Sequence, residues 1–157
     1  LKAMNAPARD LRQLFGTDLA LREVAGAADL TLQGPAGGSG DLALAAGDAN
    51  IVQALTLRLR VRKGELAALG WPDYGSRLHE LIGEPDLART RLKAQVFARD
   101  AVEADPRVAQ VESVTVVRIP GEREVLRLAM QVRTISAPVP ANLVFDLALD
   151  GSATEAP

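Results

Sequence analysis

Cysteine is absent from the 157 residues, and histidine occurs once, as His79. Without thiolates there is no disulfide framework and no cysteine-based metal site, and a single imidazole cannot build a multi-histidine centre. No metal and no cofactor are expected. Aromatics are scarce at 3%, with one Trp and one Tyr, so Leu, Val and Ala must fill the core. Positive charge is not in excess: 18 Lys and Arg face 20 Asp and Glu, a net charge of −2. Such a balance gives no general attraction to nucleic acid or to an anionic membrane. Long apolar runs are missing too, none approaching the roughly 18 residues that span a bilayer. Arg9, Asp10 and Arg12 interrupt the start before a signal-peptide core could form. The expected place of maturation is the cytoplasm.

What remains is the composition of a water-soluble folded domain, 48% apolar and 24% charged. Three short alternating runs come early: Asp18-Leu19-Ala20-Leu21, Asp29-Leu30-Thr31-Leu32 and Asp41-Leu42-Ala43-Leu44. Leucines at every second position mark one face of a strand. Asp-Leu-Ala-Leu recurs at 146–149, and the uneven spacing favours a common strand solution over a repeat architecture. Residues 1–17 are expected to carry little structure, and Gly34 to Gly40 reads as a flexible link. This divides the chain into an N-terminal extension at 1–39, a core domain at 40–149 and a disordered tail at 150–157.

A helix is expected from Asn50, with Asn50 as its cap, Gln53 completing a capping box and Gly64 ending it. Val52, Leu55 and Leu59 share its apolar face, while Arg58, Arg60, Arg62 and Lys63 read as a solvated face or one for an acidic partner. A short helix from about Ser76 carries Leu78, Leu81 and Ile82, and Gly83 ends it. The longest helix spans 87–104 with Asp86 as N-cap and Ala88, Leu92, Val96 and Val102 on its apolar face, widened by Phe97 and Ala101. It stops at Asp105, because the residue before Pro106 is pushed out of the helical region. Beyond it lies a β-meander: a valine-rich strand at 108–119, a strand with Leu126, Leu128, Met130 and Val132 inward, and a last strand with Leu143, Phe145, Leu147 and Leu149 inward. The fold class is α+β, a single domain with a mostly antiparallel sheet and about three helices on one face.

Catalytic chemistry is hard to place. Asp73, Glu80, Glu84 and Asp86 cluster in sequence, but nothing sets one of them in an apolar pocket as a general acid requires. One histidine and scattered serines support no Ser-His-Asp arrangement, and the glycine-rich link lacks the Lys-Ser/Thr ending of a phosphate loop. The expectation is a protein that is not an enzyme. Asp105-Pro106-Arg107 is more informative. An aspartate at a helix C-terminus opposes the dipole and seeks a cation, and Arg107 offers a planar fork on a proline-stiffened corner.

The order of motifs adds a resemblance. Gly40 to Leu44, Gly47 to Leu55, Arg58-Leu59, Gly64-Glu65-Leu66, Pro72 to Leu78 and Asp105 to Val108 resemble, in order, the phage baseplate wedge protein W family of sheath initiators. The resemblance covers 40–119, about half of the chain. It implies a baseplate component of a contractile tail, a type six secretion system or an extracellular injection particle. It also implies partners: a wedge scaffold protein, the tail sheath subunit and a central hub or spike, with six copies per baseplate. The family's Glu-Pro-Arg signature falls on Asp105, Pro106 and Arg107, a shorter acid in place of Glu. Those three residues, with Tyr74 and Arg77 from the matching turn, are the expected partner-binding set. The expected location is the cytoplasm during assembly and then a virion or injection particle. Two other readings stand beside it: a lysozyme-like peptidoglycan hydrolase, since some relatives carry that label, and a small anti-adaptor-like regulatory module, which shares the family's fold.

Overall fold

A computed structural model describes residues 15–24, 27–34, 40–122, 124–135 and 139–151. Its centre is the meander. Strands β7 (Val108–Arg118), β8 (Val125–Thr134) and β9 (Ala141–Ala148) form an antiparallel sheet in the order β7-β8-β9. On β8 the alternation holds from Leu126 onward. Leu126, Leu128, Met130 and Val132 are buried, while Ala129, Gln131 and Arg133 are exposed. Leu143, Phe145 and Leu147 of β9 join them on the same face, as the period of two requires.

Two α-helices cover that face. α1 (Asp48–Arg60) lies against β9 and α2 (Ala88–Glu103) against β7. The architecture is the expected α+β one, with one α-helix fewer. The segment after Ser76 forms only a four-residue 3-10 turn, Leu78–Leu81, which buries Leu78 and Leu81 and leaves Ile82 exposed.

The faces of the helices differ from expectation in an instructive way. Leu92 and Val96 of α2 are 61% and 47% exposed, whereas Thr90, Ala94, Ala98, Ala101 and Val102 are buried. Alanines at i and i+4 let the helix axis approach the sheet closely, so the small residues face inward and the large ones do not. Asp86 is not the cap either; its carboxylate takes two hydrogen bonds from Arg91 at 2.6 and 2.7 Å, and extended Leu87 begins the helix.

α1 likewise starts earlier than expected, at Asp48 behind Gly47 (φ 61°), and ends at Arg60 with Val61 extended. Asn50 and Gln53 are therefore inside the helix and free to reach elsewhere. Asn50 is buried, and its Nδ2 donates to the Phe15 carbonyl at 2.7 Å. Asn50→Ala would leave that carbonyl without a donor. The expected cost is about 1–2 kcal/mol of stability in urea denaturation, with the core otherwise intact.

The three early Asp-Leu-x-Leu runs are equivalent parts of one unit. β1 (Thr17–Leu19) pairs with β6 (Leu44–Ala46), β2 (Leu21–Val24) with β3 (Ala27–Leu30), and β4 (Leu32–Gln33) with β5 (Asp41–Leu42), all antiparallel. Each run bends at its third residue and passes from one partner to the next. At the centre a ring of backbone bonds closes: Ala20 N–H to the Ala43 carbonyl, Ala43 N–H to Thr31 and Thr31 N–H to Ala20, at 2.8, 2.8 and 2.9 Å. The result is a three-armed junction with approximate threefold symmetry, so the runs are a repeat after all. The three runs start almost evenly, at 18, 29 and 41, and only the distant fourth copy at 146 makes the spacing uneven. The fourth copy, at 146–149, lies in and just after β9 and takes no part. Thr17 belongs to this unit, and Phe15 is buried in the core. The expected looseness of residues 1–14, most of the glycine-rich link and the tail from 152 fall outside the described residues.

Candidate functional site

The corner at the end of α2 is built by three segments. The chain leaving α1 is tied to the loop before the 3-10 turn: Ser76 N–H donates to Val61 at 2.8 Å, Lys63 N–H to Ser76 at 2.9 Å, and Ser76 Oγ to Leu59 at 2.6 Å. A parallel bridge, Arg62 to Ser76, results. It forms because residue 75 is glycine, at φ 104°, with the Val61 and Arg62 backbone against it. The tie sets Tyr74 beneath the Arg58 guanidinium, 4.5 Å from ring centroid to Cζ, and Trp71 meets the Tyr74 ring edge-on at 6.4 Å.

Arg58 is thus no part of a solvated basic face. It is buried, and its Nε has no hydrogen-bond partner among the described residues. The helical period could have revealed this, since Ile51, Leu55, Arg58 and Leu59 follow the i, i+4, i+7, i+8 pattern of one face. Arg62 and Lys63 are exposed, as expected of a solvated run.

Asp105 and Arg107 find each other. Arg107 Nε and Nη2 donate to the two Asp105 oxygens at 2.9 and 2.8 Å, and the Arg107 backbone N–H adds a third bond at 3.0 Å. Pro106 sits exposed between them. The Asp105 side chain is only 5% exposed. Burial pushes its carboxyl upward, but the Arg107 hydrogen bonds and the charges of Arg107 and Arg58 outweigh that and hold it below the usual range. Arg107 is raised in turn, chiefly by its bond to Asp105, with Tyr74 contributing. Asp105, Arg107, Tyr74 and Arg58 therefore form one cluster around a single buried carboxylate.

Arg77 stands apart from it. Its guanidinium lies over the Phe97 ring at 4.4 Å and donates twice to Glu80, both at 2.8 Å. A hollow of about 130 Å³ opens beside it, lined by Lys63, Asp73, Arg77, Phe97 and Asp100.

Three of the four carboxylates considered for catalysis are held by cations; the fourth, Asp73, lines the hollow beside Arg77. Glu80 is bound by Arg77, Glu84 by Lys93 at 2.7 Å, and Asp86 by Arg91. These hydrogen bonds outweigh desolvation, and all three carboxyls lie below their ordinary values. A general acid needs the opposite shift. His79 Nδ1 lies 3.1 Å from the Ser76 carbonyl, a backbone contact. Among the described residues no group of three potential metal ligands comes together, and no helix is long and apolar enough to cross a membrane.

A crystal structure with the same fold exists. It is that of a Geobacter sulfurreducens protein whose provisional name is tail lysozyme, solved at 1.44 Å. The likeness has a TM-score of 0.57 and 23% sequence identity, covering 66% of this chain and 92% of that one. At that identity it is a likeness of fold. No protein-family model and no curated protein matches the chain.

Proposed function

We propose that this chain is a baseplate component of a contractile tail or injection machine, six copies of which link the wedge scaffold to the first sheath layer. The observation that carries the reading is the fold shared with a protein named for a tail, over nearly all of that protein's length. The order of motifs from Gly40 to Val108 agrees with it. On this reading the Asp105-Pro106-Arg107 corner, with Tyr74, meets the scaffold through the exposed proline and the outer faces of the two rings. Arg77 makes a separate contact.

β9 is suited to the sheath side. It is an edge strand of its sheet, and an edge accepts a strand from another chain with little demand on sequence. The other edge is partly closed: Arg99 Nη1 donates to the Val111 carbonyl at 2.8 Å and Gln95 Nε2 to Val114 at 3.3 Å. No described side chain does this along β9.

Particles assembled without this chain are expected to show bare tubes and no sheath in electron micrographs. Normal sheathed tails would overturn the reading. The neighbour's provisional name motivates a second reading, peptidoglycan hydrolysis. Purified chain is expected to leave the turbidity of a cell-wall suspension unchanged, as the cation-bound carboxylates predict. Steady clearing that Glu80→Gln or Glu84→Gln abolishes would establish the hydrolase instead.

A further inference from the structure

The three-armed junction presents the same backbone groups three times, and only one set is satisfied. In a non-hydrogen-bonded antiparallel pair both residues turn N–H and C=O away from each other. Leu19, opposite Leu44, gives its N–H to Asp18 at 2.8 Å, and its carbonyl accepts from Gln53. Leu21, opposite Leu30, gives its N–H to Gln53, while Leu30 gives its own to Asp29 at 2.8 Å. Leu42, opposite Leu32, gives its N–H to Asp41, again at 2.8 Å. All three Leu–Leu pairs are therefore of the outward-pointing kind.

Each bend consequently forms a notch bearing one carbonyl and one N–H two residues apart. They are Leu19 O with Leu21 N–H, Leu30 O with Leu32 N–H, and Leu42 O with Leu44 N–H. The first is closed by the Gln53 carboxamide, whose Nε2 donates to Leu19 at 2.9 Å while its Oε1 accepts from Leu21 at 2.8 Å. No described side chain does the same at the other two. Leu32 and Leu44 beside them are 69% and 64% exposed.

We propose that the notches at Thr31 and Ala43 are docking points for the carboxamide side chains, Gln or Asn, of a protein partner. Gln53 demonstrates the fit within the chain itself: a planar amide supplies one donor and one acceptor at the spacing the bend presents. The surroundings specify the rest of the partner. The leucines call for apolar neighbours around the amide. The exposed carboxylates Asp18, Asp29 and Asp41 face one base, Arg22, among the residues of the junction whose side chains are described, which calls for a basic rim and opposes the same face of a second copy.

The test is amide NMR on the full chain, titrated with acetamide. Saturable shifts are expected at Leu32 and Leu44, with Leu21 unmoved because Gln53 occupies its notch. N,N-dimethylacetamide keeps the carbonyl but has no donor for Leu30 or Leu42, and should act markedly more weakly. In Gln53→Ala the Leu21 amide should begin to respond. Silence at Leu32 and Leu44 in the wild type, or equal shifts with both amides, would overturn the proposal. If Gln53→Ala loosens the junction, hydrogen exchange decides. Leu32 and Leu44 amides should exchange about tenfold or more slower when the chain sits in its native assembly than when free. Unchanged rates, or shifts that grow with protein concentration alone, would count against a separate partner.

Discussion

Replacing Arg107 with alanine is expected to lower the unfolding free energy by about 3 kcal/mol at neutral pH, because it strands a buried carboxylate. The Asp105 side chain is almost fully enclosed and takes three hydrogen bonds from Arg107, one of which, from the backbone, survives the substitution. Arg58 adds charge but is engaged with the Tyr74 ring. The pH dependence separates this from a loss of packing. The folded-state pKa of Asp105 is depressed, so the stability it contributes is fully present above the unfolded value of about 3.9 and is lost as pH falls through the folded one. Wild type and variant should therefore differ most near pH 7 and converge in acid, where a protonated Asp105 no longer needs its partner. Urea denaturation at both ends of that range measures it. A constant gap would assign the loss to the arginine stem instead.

Gly75→Ala is expected to cost about 3 kcal/mol as well, through a different mechanism. A Cβ at this position would lie 2.6 Å from the Val61 carbonyl oxygen and 2.7 Å from the Arg62 carbonyl group, all backbone and unable to swing aside. The φ of 104° is itself strained for any residue with a side chain. Relief requires the loop to lift off α1, which breaks the Ser76–Val61 and Lys63–Ser76 bonds and removes Tyr74 from Arg58. The single Trp and single Tyr meet in this loop, so the near-UV circular dichroism signal should fall along with the melting temperature. A variant with wild-type stability and an unchanged aromatic signal would contradict the account.

The meander was legible in the sequence because a period of two admits one assignment once a face is buried. The inward faces of Leu126 to Val132 and Leu143 to Leu147 follow for that reason. On α2, side-chain size and fit point to opposite faces. Leu92 and Val96 look like core residues until a sheet demands the alanine stripe that can approach it. Asn50 and Gln53 matched a capping box, and only the earlier start behind Gly47 released them for Phe15 and the junction. The corner was half visible. An aspartate opposing a helix dipole and an arginine two residues on did predict a charge pair, but not that each would be the other's partner. Arg58 and Tyr74 were harder to join to it, because the link depends on a glycine whose positive φ no local pattern announces. The threefold junction was spelled out three times as Asp-Leu-x-Leu. It stayed hidden because the fourth copy at 146–149, outside the unit, makes the spacing uneven.

α1 is a rod between two attachments. Asn50 and Gln53 fasten its first turns to Phe15 and the junction, and Arg58, in its last turn, stands over Tyr74 beside Asp105. Eight residues of helix separate Asn50 from Arg58, about 12 Å of stiff backbone. A pull on the junction is therefore delivered lengthwise to the buried charge cluster rather than dissipated in a loop. The peptide chain from Ala46 through Gly47 already joins the two, so the two bonds of Gln53 fix the angle between junction and rod.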